Sequence, residues 1–547
     1  MWLEHVLIHL FFFFFLLMSI VCATILDAAG AEVTDSVSPA RHGIWEAPNQ
    51  LSGTERGLPL PLVGHWNRGT RPGGYDPIYQ SRLINQGHPI LPWFAMPRPE
   101  KSGGYADYAP VEVAGQLGLP ISFVGTQWER LLSDEDRYLS LPAGQNPNVV
   151  DADGKVADRV SPFGPVEHWR EVGRRWTSSP LMREFQRRYP DPPLVLFVSN
   201  NEHRKLWWHE AEEDYRYLQA FGHGRSDEFK RQVVSDGWIE RYRALHEGMR
   251  EGLENATWQD NARFVGYSAF GMRAFGRWPR WKRYALHTEE RFDPWHLAWD
   301  GASVSYYVNH WDRSTDYRVQ SPQIESMNWV FMLKEAYENN PDFWLEMSTW
   351  DGYAPGKPND KRKHYAEQGQ SYTPERYGGM VRFGMWLLRP RVVREYRHHW
   401  QTVEDTGAYF DAVIEAVDEV HRDEDLGRFW RFGELVPNPS GSHPYRSNIP
   451  KRYESAERWF LLDAEPNPEQ PWALDTEIPV FSLALVIGQA PNREWLLYVF
   501  SPVSSYSDVS IELPGFGSVN VAADSAGGFY VVDESRGNAR EMGSDRP

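Results

Sequence analysis

One cysteine occurs in 547 residues, Cys22, inside an apolar N-terminal stretch. The chain beyond it therefore has no disulfide framework and no thiol nucleophile. Net positive charge is also missing. With 57 Lys and Arg against 75 Asp and Glu, the formal charge is -18, the opposite of the basic footprint of a nucleic-acid binder. No phosphate-cradling Gly-x-x-x-x-Gly-Lys loop and no dinucleotide-binding Gly turn appear. The His-Glu pairs in "HEAEED" and "HEGMRE" lack the second His of a zinc-binding helix. "GYSAF" around Ser268 lacks the closing Gly of a nucleophile elbow. "VVDADGKVAD" is too short for a calcium loop and reads as a turn. The chemistry is thus expected to need neither cofactor nor metal.

Beyond the N-terminal stretch no second long hydrophobic run exists. The run Val6–Leu26, followed by Ala29-Gly30-Ala31, reads as a secretory signal with a small-residue cleavage site. Its first residues hold Glu4 and His5 but no Lys or Arg, and its length would span a bilayer, so a retained anchor is the alternative. Either way the remainder is expected outside the cytoplasm, periplasmic or extracellular.

Aromatic residues are abundant. Twenty-five Trp suit a large core, and equally a cleft lined with flat apolar platforms for sugar rings. After a linker over 32–56, apolar runs alternate with helical patterns. Strands are expected at Leu60–Trp66, Ile90–Met96, Ile121–Trp128, Leu194–Glu202, Arg263–Phe270, Ala302–Asn309, Phe343–Thr349 and Val392–Tyr396. Helices are expected at Val111–Leu117, Val166–Tyr189, Glu228–Leu253, Ile324–Glu338, Pro374–Leu388 and Tyr409–Val420. Alternation of this kind predicts a parallel sheet. Eight units make an α/β fold, a (β/α)8 barrel over 57–430 with long loops. A linker over 431–457 precedes short strands over 458–536, predicting a small C-terminal all-β domain, and 537–547 form a tail. Bracing the barrel is the simpler role for that domain, because Trp459, Phe460, Trp495 and Tyr498 lie inside apolar runs that a sandwich must bury.

In a barrel the chemistry sits where the strands end. Glu202, preceded by Asn201, ends strand four, and Glu346 in "DFWLEMSTWDG" is expected at the end of strand seven. Two carboxyls about 5–5.5 Å apart suit glycoside hydrolysis with retention. From Pro59 to Val420 this arrangement resembles the clan A glycoside hydrolases. The resemblance implies Glu202 as acid/base, Glu346 as nucleophile and Asn201 on the sugar hydroxyl beside the reacting carbon. It also implies a Tyr after strand six, Tyr306 or Tyr307, and a Trp beneath the sugar, for which Trp400 is the candidate. An acid needs a neighbourhood that keeps it protonated; His203 and His209 could tune it, or simply face solvent.

The strand-five loop "MRAFGRWPRWKRY" interleaves Arg277 and Arg280 with Trp278 and Trp281. The strand-seven loop carries Lys357, Lys361, Arg362 and Lys363, which read first as a solvated loop or helix start. Guanidinium forks match sulfate or carboxylate oxygens, and the rings can stack on sugars. Trp207 and Trp208 begin another loop that either crosses the substrate or packs down. The partner expected is thus a polysaccharide, an anionic one, and the protein looks similar to enzymes that cut red-algal galactans (agarase, porphyranase or carrageenase). A neutral β-galactoside, mannan or glucan, or a glycan-binding barrel without catalysis, are the alternatives.

Overall fold

The computed structural model describes residues 60–65, 83, 85–88, 90–96, 99, 108–126, 140–200, 206–266, 297–307, 340, 343–353, 362–363, 366, 373–397, 403–436, 466–467, 470–474, 480–501 and 505–542. Strand β1 (Leu60–His65) is followed by β2 (Trp93–Ala95), helix α1 (Ala109–Leu117) and β3 (Ile121–Thr126). A hairpin of β4 (Asn148–Val150) and β5 (Val156–Val160) leads to α2 (Val166–Thr177), α3 (Pro180–Arg188) and β6 (Val195–Asn200). Next come α4 (Tyr215–Phe221), α5 (Asp227–Gly252), α6 (Ala256–Asn261), β7 (Ala262–Gly266), β8 (Gly301–Tyr307) and β9 (Trp344–Trp350). Then follow α7 (Pro374–Leu388), β10 (Val392–Arg397), α8 (Val403–Arg422) and α9 (Glu424–Phe432).

Eight of these strands make one parallel sheet in the order β1-β10-β9-β8-β7-β6-β3-β2. From β3 onward each lies beside its predecessor in this set, and the last, β10, lies beside the first, which is a barrel-like order. Between β1 and β2 the strands approach, with no hydrogen-bonded ladder among the described residues. The side-chain period of two sorts each strand into two faces. Trp93, Val124, Leu196, Val198, Val265, Trp344 and Val392 share one cluster on the inner face. Their neighbours Phe94, Phe123, Phe197, Phe264, Leu345, Met347 and Val393 face the helices in the main core. All eight expected strands are present, within a few residues of their expected ends.

Three elements depart from expectation. The helix expected over Val166–Tyr189 is two, because Pro180 supplies no N–H and Ser179 caps the second by accepting from Met182 N at 3.3 Å. Glu434–Leu435, inside the presumed linker, pairs with the C-terminal sheet, and Asn538–Glu541, inside the presumed tail, forms its far edge. Edge strands this short show no alternation to read. The helix expected at Ile324–Glu338 lies outside the described residues.

The C-terminal part holds β11 (Glu434–Leu435), β12 (Pro466–Asn467), β13 (Gln470–Leu474), β14 (Phe481–Ile487) and β15 (Glu494–Phe500). It continues with β16 (Tyr506–Leu513), β17 (Gly517–Ala523), β18 (Gly528–Asp533) and β19 (Asn538–Glu541). β11, β14, β15, β18 and β19 form one antiparallel sheet. One face, with Phe481, Leu483, Tyr498 and Phe500, joins the helical core around the parallel sheet; the other, with Trp495, Leu497, Val499 and Val532, packs the β16–β17 hairpin. Helix α7 is buried nearly all round because it lies between two sheets. Tyr377 Oη donates to Thr349 Oγ1 at 2.7 Å on one side, and the Gly379 carbonyl accepts from Tyr498 Oη at 2.7 Å on the other. Trp459 and Phe460 lie outside the described residues.

The helical layer also holds a titratable group with a readable consequence. His246 of α5 is buried, stacked on Phe264 at 4.8 Å and set edge-on to Trp299 at 4.4 Å. Its Nδ1 donates to the Ala298 carbonyl at 2.7 Å. Burial pushes its pKa down to about 3, against that hydrogen bond. The native state therefore stays neutral below pH 6.5 while the unfolded chain takes up a proton, so stability falls as pH drops from 6.5 toward 3. By pH 4.5 the loss from this residue is roughly 2–3 kcal/mol. His246→Gln, which keeps a donor for Ala298, is expected to flatten that part of the pH–stability curve. Urea midpoints of both proteins across pH 4.5–7 check this, and parallel curves would disprove it.

Candidate active site

A charged residue in a buried parallel strand requires a partner, because unpaired charge in a low-dielectric interior is costly. β9 carries one such residue, Glu346, and β10 another, Arg394, both buried. Ladder register sets Glu346 beside Ser303 of β8 and Val392 of β10. Glu346 shares the inner face with Trp344, two residues before it, and Arg394 shares it with Val392. Three side chains from three strands then converge. Ser303 Oγ donates to Glu346 Oε1 at 2.7 Å. Arg394 places Nε against the same oxygen and donates from Nη2 to Ser303 Oγ at 2.7 Å. Among the described residues Glu346 Oε2 is buried with no hydrogen-bond partner, and so is Ser348 Oγ two residues on.

Chemically this is a charge-paired carboxylate: one oxygen accepts from Ser303 and lies against the Arg394 guanidinium, and the other is uncommitted among the described residues. Glu346 is the third of seven residues in β9 rather than its last, as had been expected. The strand continues to Trp350, whose ring meets Tyr396 of β10 edge-on at 6.3 Å. By the same period of two, Trp350 and Tyr396 stand on the face of Glu346 and Arg394, further along their strands.

The other expected site residues are distributed as follows. Asn201, Glu202, His203, Arg277, Trp278, Arg280, Trp281 and Trp400 lie outside the described residues. Glu202 follows in sequence two residues after the end of β6. Tyr306 and Tyr307 close β8, in register with Thr349 and Trp350 respectively. Trp208 is buried beneath the Arg231 guanidinium, 4.4 Å from the ring, so it fastens its loop and offers no face to a glycan. Trp207 is half-buried against the same core, its backbone N–H bound to the Glu210 carboxylate at 2.8 Å. His209 is exposed.

In the strand-seven loop, Arg362 is committed locally. It pairs with buried Asp351 at 3.0 Å and lies 4.1 Å from the rings of both Tyr353 and Tyr409. These contacts hold the guanidinium against its own loop and helix α8. Asp151–Gly154 is the turn of the β4–β5 hairpin, where Asp151 Oδ1 accepts from the N–H groups of Asp153 and Lys155. Among the described residues no group of three or more His, Cys, Asp or Glu is placed to hold a metal.

Sequence reasoning missed Arg394, Ser303, Trp350 and Tyr396. A signal existed for Arg394: it is a cation in the apolar run "VVREY" of an expected buried strand, and such a residue needs a counter-charge from a neighbouring strand. Nothing marked Ser303.

No protein-family model matches the chain, and no curated protein matches it. A solved structure, a GH5-4 broad specificity endoglucanase from an uncultured bacterium, aligns with a TM-score of 0.34 and 10% identity. The alignment covers 69% of this chain and 98% of that one.

Proposed function

We propose that this chain is a secreted retaining endo-glycoside hydrolase of the clan A type, with its eight strands closed into a barrel. Its substrate in this reading is an anionic, sulfated algal galactan. The observation that carries the reading is Glu346: a carboxylate on the inner face of the sheet, fixed through one oxygen and uncommitted at the other.

Glu202 is the acid/base. In the first step the carboxylate of Glu346 bonds to the anomeric carbon as the glycosidic bond breaks, and Glu202 gives its proton to the departing oxygen. In the second, Glu202 takes a proton from water, the water oxygen bonds to the same carbon, and the bond to Glu346 breaks with its electron pair returning to the carboxylate. Asn201 and either Tyr306 or Tyr307 would orient the sugar. Support for an anionic glycan comes from Arg277 and Arg280 interleaved with Trp278 and Trp281 in the strand-five loop. The N-terminal apolar segment supports export.

The test is a reducing-end assay on agarose, porphyran, carrageenans, galactomannan and laminarin, with Glu202→Gln beside the unaltered protein. Cleavage of a sulfated galactan that Glu202→Gln reduces at least ~100-fold is expected. Cleavage of neutral glycans alone would overturn the anionic substrate and keep the catalytic pair. No cleavage anywhere would overturn the enzyme reading.

A further inference from the structure

We infer that Arg394 and Ser303 are positioning residues that make Oε2 of Glu346 the attacking oxygen and stabilise the carboxylate as it leaves again; this rests on the proposed hydrolase reading. The two oxygens of Glu346 are inequivalent before any substrate arrives. Oε1 meets Ser303 Oγ at 2.7 Å and lies against Arg394 Nε, whereas Oε2 has no hydrogen-bond partner among the described residues. Arg394 also donates to Ser303 Oγ at 2.7 Å, which orients that hydroxyl so that its proton points at Oε1. An oxygen that already accepts from Ser303 and is paired with a guanidinium is the weaker nucleophile, so the new bond forms at Oε2.

The consequence differs between the two steps. When Oε2 bonds to the anomeric carbon, the charge of Glu346 is spent and Oε1 becomes an ester carbonyl oxygen, still facing Arg394. When water displaces the ester, the electron pair of the C–Oε2 bond returns to the carboxylate beside that guanidinium. Donors fixed where charge develops lower the barrier of the step that develops it. Arg394 therefore assists departure of Glu346 and restrains its attack. Removing it slows the second step more than the first.

The kinetic signature is specific. With porphyran as probe, Arg394→Met is expected to lower kcat by ~100-fold. KM falls with it, so that kcat/KM drops less than about tenfold. The glycosyl-enzyme accumulates and appears as added mass on intact protein quenched in acid. Arg394→Lys should restore part of kcat, and Ser303→Ala, which leaves the ion pair in place, should show the same pattern more weakly. A merely structural role would reduce kcat and kcat/KM together with no added mass, and that result overturns the inference. If Arg394→Met fails to fold, Ser303→Ala decides by the same ratio. Full activity in Glu346→Gln would instead sink the hydrolase reading itself, a separate outcome.

Discussion

Glu346→Gln is expected to lower glycan cleavage by more than ~10³-fold, because an amide cannot form the covalent intermediate. The variant is nearly isosteric, so glycan binding should persist. It also has a structural price that separates it from a surface substitution. Arg394 is buried, and Glu346 and Ser303 are the groups that meet it in the site. Removing one member of a buried pair typically costs 3–5 kcal/mol by stranding the other charge. Gln still presents an oxygen to Ser303 and Arg394, which places the cost near the lower end, about 3 kcal/mol. Thermal unfolding, run beside the reducing-end assay, should therefore show a lower midpoint in the variant. Combining Glu346→Gln with Arg394→Met should recover part of that stability, since the stranded charge is gone, yet recover no activity. Near-normal cleavage by Glu346→Gln would exclude this residue as nucleophile.

Gly248→Ala is expected to destabilise the fold by about 3 kcal/mol or more, at the top of the range for overpacking. Helices α2 and α5 meet backbone to backbone through glycines. A methyl group on Gly248 would sit 1.9 Å from the Arg170 carbonyl oxygen, and one on Gly173 would sit 2.0 Å from that of Leu245. Gly252 meets Thr177 Oγ1 in the same way at 2.3 Å, and that hydroxyl is itself committed to the Met249 carbonyl at 2.6 Å. Backbone atoms cannot rotate aside, so the helices must separate. Two compensations are too small to matter. Alanine gains up to ~1 kcal/mol of helix propensity over glycine. The ion pairs flanking the contact, Arg170 with Glu247 and Glu251 and Arg174 with Glu251, are largely exposed and worth little. A urea midpoint unchanged by Gly248→Ala would show that α2 and α5 have room to slide.

Strand and helix positions in this chain were legible because periodicity is a local property. Leu194–Val198 and Leu345–Met347 are apolar runs bounded by polar residues, and α7 was legible to the residue because Thr373 and Pro374 mark its start. Local patterning failed at Glu434–Leu435 and Asn538–Glu541, edge strands too short to repeat anything. It also failed at Val166–Tyr189, where one Ser-Pro step outweighed a continuous helical pattern.

For the site, the sequence by itself determined that a carboxylate lies in a buried strand at Glu346, and that Arg394 lies in another. It also determined the barrel-like alternation that makes such residues chemically interesting. Only the tertiary structure decided that these two meet, that Ser303 joins them and that one oxygen of Glu346 is left without a hydrogen-bond partner among the described residues. It likewise decided that Trp208 and Arg362 are spent on holding their own loops. The reason is register. Which residues share a strand face follows from counting in twos along the chain, but which residues stand opposite follows from ladders joining segments 43 and 91 residues apart, as for Ser303 with Glu346 and with Arg394. No local pattern in the sequence encodes that alignment; packing the sheet does.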